Sequence, residues 1–388
     1  MMAMKIGLIG PGDISNKYVD NLKKYPHLVE VYGVAARNLE KTKRRAAELG
    51  IPNVYESPEA MLADPEIDII LNLTTPDVHA KYNLAALEAG KHVYSEKPLA
   101  ATYEEGCAIM NLAAEKGLSV CCAPDTFMGG RLQAMRAAID DGMIGRVTSG
   151  DVCMLAHGWE CYHPNVGFYY RQGGGPALDM GPYYLTALVS LLGPVEAVTA
   201  MTNRATETRH IPSTGEELPV EIDTHVAGVL RFKSGAIVNV TLSFDVWDSA
   251  RPRFELYGTK GTLIMPEPHP NSGPNIFGGK ISFRKAEDFR WGVMPCPAGM
   301  EEKPFDEVTY DRPFSETGHD RNSRGIGLVD QVCALAEGRI PRAYGMMALH
   351  VLEIAEALGV AANEECWVYL DTDCERPDPL PEFDPYQE

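Results

Sequence analysis

Residues Lys5–Ser15 read KIGLIGPGDIS. Lys5–Ile9 is a short apolar stretch with strand character, and glycines at positions 10 and 12 break it at once. Gly10 and Gly12, set between a strand and a helix, allow a tight turn. They also let backbone N–H groups approach a pyrophosphate at the helix N-terminus. Asn16–Lys24 has helical spacing, so Asp13, Ile14 and Ser15 open that helix and belong to the same cradle. Ser15 stands where the usual fingerprint carries a third glycine, and it is small enough for close helix–strand packing. An ordinary βα turn could carry the same letters. Placement directly after the first strand of the chain favours the dinucleotide reading.

Outward from this turn, short apolar strands alternate with amphipathic helices. Strands are expected at Val29–Ala35, Ile67–Leu73, His92–Ser95 and Leu118–Cys122. Helices are expected at Leu39–Leu49, His79–Ala89 and Tyr103–Lys116. That alternation describes a parallel sheet with helices on both faces, and it assigns residues 1–126 to a dinucleotide-binding domain.

Beyond a helix at Arg131–Asp141 the texture changes. Strand-like runs dominate at Arg146–Cys153, Glu221–Phe232, Ala236–Phe244 and Arg253–Leu256. Lys233–Ala236, KSGA, is a hairpin signal. Helices are expected at Tyr184–Leu192, Gly327–Glu337 and Leu349–Ala361. The fold class is therefore α/β, with a second domain over 127–388 built on a mostly antiparallel sheet. Val, Leu and Phe crowd one face of the strands between Glu221 and Phe244. Left uncovered, such a face predicts a homodimer or homotetramer. Pro266–Pro304 reads as a long loop or insertion. The acidic, Pro-rich tail ERPDPLPEFDPYQE, Glu375–Glu388, reads as extended or poorly ordered.

At 388 residues, 45% hydrophobic and 23% charged, the chain can bury sizeable cores. A net charge of −19 argues against nucleic acid or an anionic membrane as partner. Nine cysteines without a CxxC or HxxxH spacing predict reduced thiols, a cytoplasmic location and no metal site. No run is read as reaching the roughly 18 apolar residues of a membrane span. The opening MMAMKIGLIG is too short and glycine-broken for a signal peptide.

Four further clusters carry chemistry. Ala36 and Arg37 follow the second strand, where an acidic residue would bind the ribose hydroxyls of NAD. Arg37 suits the 2′-phosphate of NADP instead, or is a solvated helix-end arginine. Thr74, Thr75 and Pro76, with His79, follow the strand at Ile69–Leu73, at the carboxyl end where ligands sit in such sheets. Glu96 and Lys97 occupy the same place after His92–Ser95. The richest segment runs from Trp159 through His163 and Tyr169 to GGGPALDMGPYY, Gly173–Tyr184. Asp179 suits the start of a helix, with Pro182 in its first turn. Asp179 and Tyr183 are four apart and would share a helix face, where a carboxylate and a phenol could handle a proton. The plainer alternative makes Asp179 an N-cap and Tyr183 a packed aromatic.

Together GLIGPGDIS, TTPDVHAKYNLAALEAGKHVYSEKPLA and GGGPALDMGPYYLTAL resemble the glucose-fructose oxidoreductase/inositol 2-dehydrogenase (Gfo/Idh/MocA) family over nearly the whole chain. The resemblance implies an N-terminal Rossmann domain and a C-terminal α/β domain on a large open sheet that commonly forms a subunit interface. It also implies NAD(P)-dependent oxidation or reduction of sugars, inositols or related diols. Lys97 matches the catalytic lysine of the EKP motif, and Asp179 the aspartate of the DxGxH-like motif. Tyr183 stands where many members have histidine, as in the glucose-fructose oxidoreductase and dihydrodiol dehydrogenase branches. Ala35–Arg37 is similar to NADP-using members, so NADP is expected over NAD. Ser15 and the run at Trp159–Pro164 depart from the family pattern.

The expected chemistry puts Lys97, Asp179 and Tyr183 at the reacting carbon. Tyr183 takes the hydroxyl proton, helped by the Lys97 ammonium. Trp159, His163 and Tyr169 contact a polyhydroxylated substrate. Two alternatives are a glycoside-processing enzyme that transiently oxidises a sugar ring with bound NAD, and a dinucleotide-sensing regulator without turnover.

Overall fold

The computed structural model describes residues 3–161, 166–268, 276–286, 305–308, 311–316 and 322–387. Six parallel strands form the first sheet: β1 (Met4–Ile9), β2 (Val29–Ala35), β3 (Asn53–Val54), β4 (Ile69–Asn72), β5 (His92–Ser95) and β6 (Val120–Cys122). Their order is β3-β2-β1-β4-β5-β6. The helices are α1 (Ser15–Leu22), α2 (Leu39–Leu49), α3 (Pro58–Leu62), α4 (His79–Glu88) and α5 (Tyr103–Lys116). A parallel sheet covered on both faces needs apolar residues in succession. Accordingly Ile69, Ile70 and Leu71 of β4 are all fully buried. The strand order reverses between β1 and β4, so a crevice opens at their carboxyl ends. The turns after β1, β4 and β5 all face it.

After α6 (Gly130–Asp140) comes the second sheet. It comprises β7 (Val147–Leu155), β8 (Val195–Asn203), β11 (His225–Phe232), β12 (Ile237–Ser243), β13 (Pro252–Gly258), β14 (Gly261–Pro268), β15 (Ile281–Lys285), β16 (Asp306–Val308) and β17 (Val368–Tyr369). Strands β9 (Thr208–Ile211) and β10 (Glu216–Pro219) form a separate hairpin. The nine strands run in the order β16-β15-β14-β13-β7-β12-β11-β8-β17. Only the β7–β12 pairing is parallel. The KSGA turn joins β11 to β12, with Gly235 at φ +85°.

Helices α7 (Gly175–Asp179), α8 (Gly181–Leu192), α9 (Ile326–Glu337) and α10 (Gly345–Glu364) complete the chain. The expectation that the Val/Leu/Phe face awaits a second subunit is corrected here. Leu230, Phe232, Val238 and Leu242 are buried beneath helices of their own chain. Leu358 of α10 packs on Gly228, and α8 lies against β7, with its first residue, Gly181, beside Leu242. The opposite face carries the exposed residues, including Met201 at 79% and Ile237 at 49%.

Helix α10 has the length and average composition of a membrane span without an unbroken apolar run. It is 20 residues with mean hydropathy 1.5 over its most apolar window, long and apolar enough to span a bilayer. Two thirds of that window is buried within the chain, where the helix packs on β8, α8 and α5. Burial in a protein core calls for the same composition as burial in lipid.

Two other readings change. The Pro266–Pro304 stretch contains the end of β14 and β15, which is paired with it; residues 269–275 and 287–304 of the stretch lie outside the described set. The acidic tail has no regular structure but is firmly packed. Leu380 and Tyr386 are buried. Tyr386 Oη donates to Asp330 at 2.8 Å, and Tyr25 Oη donates to Asp384 at 2.9 Å. The segment before the tail also returns to the first sheet. The Gln331 side chain donates to the carbonyls of Val93 and Ser119, and Cys122 N donates to Ala343 O at 3.0 Å.

Candidate active site

The turn after β1 is shaped by two glycines with different requirements. Gly10 has φ +84°, and a Cβ there would lie 2.9 Å from Thr74 Cγ2 and 3.0 Å from the Leu73 carbonyl. Gly12 has nothing within 4 Å of a Cβ position, so its outer side is open. Helix α1 starts at Ser15, and no side chain caps it. The N–H groups of Ser15, Asn16 and Lys17 donate to the carbonyls of Gly12, Asp13 and Ile14, while those of Asp13 and Ile14, just ahead of the helix, have no partner among the described residues and are open to an anion, which the dipole also favours. Ser15 is fully buried, and its Oγ donates to Gly12 O at 2.5 Å. From behind, Arg45 of α2 donates to Pro11 O at 3.2 Å, Gly12 O at 3.3 Å, Ser15 Oγ at 3.1 Å and Asn16 Oδ1 at 2.9 Å. These residues fit a dinucleotide pyrophosphate: open space over Gly12, the N–H groups of Asp13 and Ile14, and a braced turn. Asp13 is exposed and Ile14 half-buried on the approach.

Arg37 lies just past β2, exposed and without a hydrogen bond or ion pair among the described residues. After β4, Asn72 Oδ1 accepts from Thr74 N at 3.2 Å and Thr74 Oγ1 at 2.7 Å, which fixes the loop that carries Thr75 and Pro76. His79 is not at the surface of the crevice. It is fully buried, with Nδ1 2.6 Å from Pro98 O and Nε2 3.0 Å from Thr74 O. Burial lowers its pKa, while the two carbonyls raise it. Its contact with a dinucleotide is thereby excluded. The ring instead ties the loop after β4 to the loop after β5.

That second loop carries Glu96 and Lys97. Glu96 is buried, with Oε1 2.8 Å from Tyr18 Oη and Oε2 3.0 Å from Lys97 N. Both oxygens are engaged by protein donors, so Glu96 organises the site from behind. Lys97 Nζ donates to Asp179 Oδ1 at 2.7 Å and to Asp179 O at 2.6 Å. The two side chains are 14% and 13% exposed. Burial would lower the Lys97 pKa, but the Asp179 carboxylate, the Tyr183 oxygen and the Glu96 carboxylate more than offset this and hold it above its usual range. An ammonium has three donors. Two go to Asp179, and the third has no partner among the described residues.

Asp179 and Tyr183 are not on one helix, which corrects the shared-face reading. Asp179 ends α7, Met180 lies between, and α8 begins at Gly181 with Pro182 in its first turn. Proline cannot donate to the preceding turn, so the helix restarts there. Nor does Asp179 cap α8, whose N-terminus has no side-chain cap. Lys97 is what joins the two residues: its Nζ binds Asp179 and lies 5.3 Å from the Tyr183 ring centroid. The Tyr183 ring is buried at 6% exposure, as the packed-aromatic alternative requires, yet its Oη accepts from Arg324 Nη2 at 3.2 Å.

Trp159 and Tyr169 lie side by side, their rings 6.3 Å apart and both against Phe244. The Trp159 indole N–H is buried without a hydrogen-bond partner among the described residues. Burial and then the Asp179 charge raise the Tyr169 pKa, which keeps the phenol neutral beside Lys97. This wall is braced by an ionic cluster. Tyr170 Oη donates to Glu160 at 2.7 Å, and the Arg209 guanidinium bridges Glu160 and Asp245. His163 lies outside the described residues. Among the described residues no group of three His, Cys, Asp or Glu is placed to hold a metal.

Arg324, Tyr18, Arg45 and Arg209 were not singled out by sequence. None sits in a motif, and each reaches its partner from a distant part of the chain or the next helix.

The "Oxidoreductase family, NAD-binding Rossmann fold" profile matches residues 4–123, and the GFO/IDH/MocA C-terminal domain profile matches residues 132–264. The chain is 31% identical to 1,5-anhydro-D-fructose reductase of Ensifer adhaerens, over 72% of this chain and 80% of that protein. It is 30% identical to D-xylose 1-dehydrogenase (NADP(+)) 2 of Haloferax volcanii, over 69% of this chain and 76% of that protein. Its fold matches that of levoglucosan dehydrogenase in complex with NADH and L-sorbose. The TM-score is 0.78 at 23% identity, covering 96% of this chain and 100% of that one. The chain belongs to the GFO/IDH/MocA oxidoreductase family. It is a nicotinamide-dependent oxidoreductase acting on CH–OH groups.

Proposed function

We propose that the protein interconverts a hydroxyl and a carbonyl on a sugar, inositol or related polyol in the cytoplasm, using NADP in preference to NAD. The observation that carries the reading is the Lys97–Asp179–Tyr183 assembly at the carboxyl end of β5, beside the switch point of the first sheet. The names of the relatives above, a reductase and a dehydrogenase of sugars, support the substrate class. Arg37, exposed and free beside the expected adenosine ribose, supports NADP.

The turn at Gly10–Ser15, Thr74–Pro76 and Arg37 would hold the dinucleotide, which when bound would supply the hydride exchange. The chain's own residues handle the oxygen. The free N–H of Lys97 points its charge at the substrate hydroxyl and favours the alkoxide. Asp179 fixes the direction of that ammonium, and Tyr183 Oη accepts or returns the hydroxyl proton. Trp159, with its unpaired N–H, and Tyr169 form an amphipathic wall suited to a sugar ring. The eight cysteines among the described residues are all free, in keeping with a reducing compartment. Exposed Met201, Ile237, Trp367 and Tyr369 on the outer face of the second sheet support a homodimer or homotetramer.

The test is a screen at 340 nm of aldoses, ketoses, inositols and glycosides with both dinucleotides, for wild type and Tyr183→Phe. We expect stoichiometric reduced dinucleotide with one polyol class, and a fall in turnover of about 10²–10⁴-fold in the variant. Turnover by Tyr183→Phe close to wild type, with an unchanged melt, removes the phenol from the chemistry. Release of a cleaved or keto glycoside without net dinucleotide reduction supports transient ring oxidation instead.

A further inference from the structure

Tyr183 is reached by a second cation that no motif reveals. Lys97 lies over the Tyr183 ring, while its two hydrogen bonds among the described residues go to Asp179. The phenolic oxygen itself is bound by Arg324, whose Nη2 is 3.2 Å from Oη. Arg324 precedes α9 and is held from several sides. Its Nη1 is 3.7 Å from Glu96 Oε1, and Glu96 is fixed in turn by Tyr18 Oη and the Lys97 N–H. The Arg324 carbonyl accepts from Asn21 Nδ2 at 2.8 Å, its N–H donates to Asn322 Oδ1 at 3.1 Å, and the next N–H, that of Gly325, donates to Asp125 at 2.7 Å. The guanidinium side chain is 15% exposed. Both ends of this arginine are therefore fixed before any substrate arrives.

A guanidinium has five donors and no acceptor. In the Arg324–Tyr183 contact the phenol can only accept, so its own hydrogen must point elsewhere. No other protein partner of that hydroxyl is found among the described residues. The hydrogen is thus left for a substrate oxygen. We propose that Arg324 is a positioning residue for proton transfer: its fixed N–H donor turns the Tyr183 O–H toward the substrate oxygen. In the reducing direction the Oη–H bond breaks and its proton forms the product hydroxyl. The electron pair stays on Oη, where Arg324 already donates. In the oxidising direction the same proton returns to Oη. The inference rests on the reading of Tyr183 as the proton-handling group. It assigns to Glu96 a specific task, that of counter-ion to Arg324.

The experiment is a double-mutant cycle of Arg324→Met and Tyr183→Phe, with Arg324→Lys and Arg324→Gln alongside. Turnover, KM, dinucleotide Kd and melting temperature are measured for each folded protein. Loss of one preorganised donor at a reacting oxygen typically costs about 10²-fold in turnover. We expect a fall of that order in kcat for Arg324→Met, with KM and dinucleotide Kd within about threefold of wild type. Arg324→Lys and Arg324→Gln, which keep a donor, should recover part of the loss. On the Tyr183→Phe background, Arg324→Met should cost little more, because both changes act on one proton transfer. Additive losses in the cycle, or a kcat loss matched by a proportional fall in melting temperature and no recovery by Arg324→Lys, overturn the proposal. A full kcat in Arg324→Met alongside a crippled Tyr183→Phe overturns it while leaving the role of Tyr183 standing. A silent Tyr183→Phe overturns both. If Arg324→Met does not fold, the lysine and glutamine variants run the same cycle.

Discussion

Replacing Gly12 with alanine separates dinucleotide binding from folding more cleanly than any other single change. A Cβ at Gly12 meets no protein atom within 4 Å, and its φ is not among the positive values that disfavour side chains. On stability alone the substitution is neutral or favourable, by about 0.4–1 kcal/mol through loss of unfolded-state entropy. The same methyl stands where a pyrophosphate must reach the backbone N–H groups of Asp13 and Ile14, just ahead of α1. Displacing the phosphate by a methyl radius weakens one or two charge-assisted hydrogen bonds, each worth about 1.5–3 kcal/mol when intact, for a combined loss of about 1.5–4 kcal/mol. At 1.4 kcal/mol per decade the expected loss is about ten- to a thousandfold in dinucleotide affinity. Gly10→Ala is the opposite control. With φ +84° and its Cβ 2.9 Å from Thr74 Cγ2, it strains the protein itself, and about 1–3 kcal/mol of destabilisation follows. Titration calorimetry with NADPH and thermal melts of both variants provide the measurement. If Gly12→Ala binds NADPH as tightly as wild type, the turn after β1 is not the phosphate cradle and the cofactor argument collapses.

Other outcomes follow from the same geometry. Arg37→Ala should weaken NADPH binding by about tenfold or more and leave NADH binding and the melt unchanged; equal Kd values for both cofactors before and after the change remove Arg37 from the cofactor site. Lys97→Met leaves the Asp179 carboxylate buried without its cation, which costs about 3–5 kcal/mol. The melt should recover partly in Lys97→Met/Asp179→Asn while turnover does not, and recovery of both would make the pair merely structural. His350 is fully buried between Val195 N and Thr372 Oγ1, and burial pushes its pKa down to about 4 from 6.5. The folded state therefore favours neutral imidazole. Its contribution is complete above pH 6.5 and is lost as pH falls through that value toward 4, by about 3 kcal/mol at most. Urea titrations of His350→Gln across this window should show a flatter acid limb than wild type; an identical limb refutes the assignment.

Local and periodic features were legible in the sequence. The first strand and its glycine turn, the alternating strands and helices up to Cys122, and the EKP segment all announce themselves through neighbouring residues. A strand period, a φ requirement or a glycine after a strand is decided within a few positions. The β11–β12 hairpin was readable for the same reason. The second sheet was harder. Strands β8, β14 and β15 went unread because edge and outer strands alternate less sharply, and β15 lies among prolines and glycines.

What the tertiary structure decided is which distant groups meet. Tyr183 and Arg324 are 141 residues apart in sequence, and nothing near either one encodes the contact. Lys97 and Asp179 are 82 apart, and they meet because the loop after β5 faces the α7–α8 junction. The helix break at Met180 removed the i,i+4 relation that spacing suggested, and the lysine restored the proximity by another route. His79, Glu96 and the apolar face of β11 and β12 each had an obvious local meaning that burial altered. One ring was spent on two carbonyls, one carboxylate was turned to Tyr18, and one sheet face was covered by α8 and α10. A hydrogen bond or ion pair between remote segments leaves no periodic trace in a single chain, because its energy exists only once the intervening elements have packed.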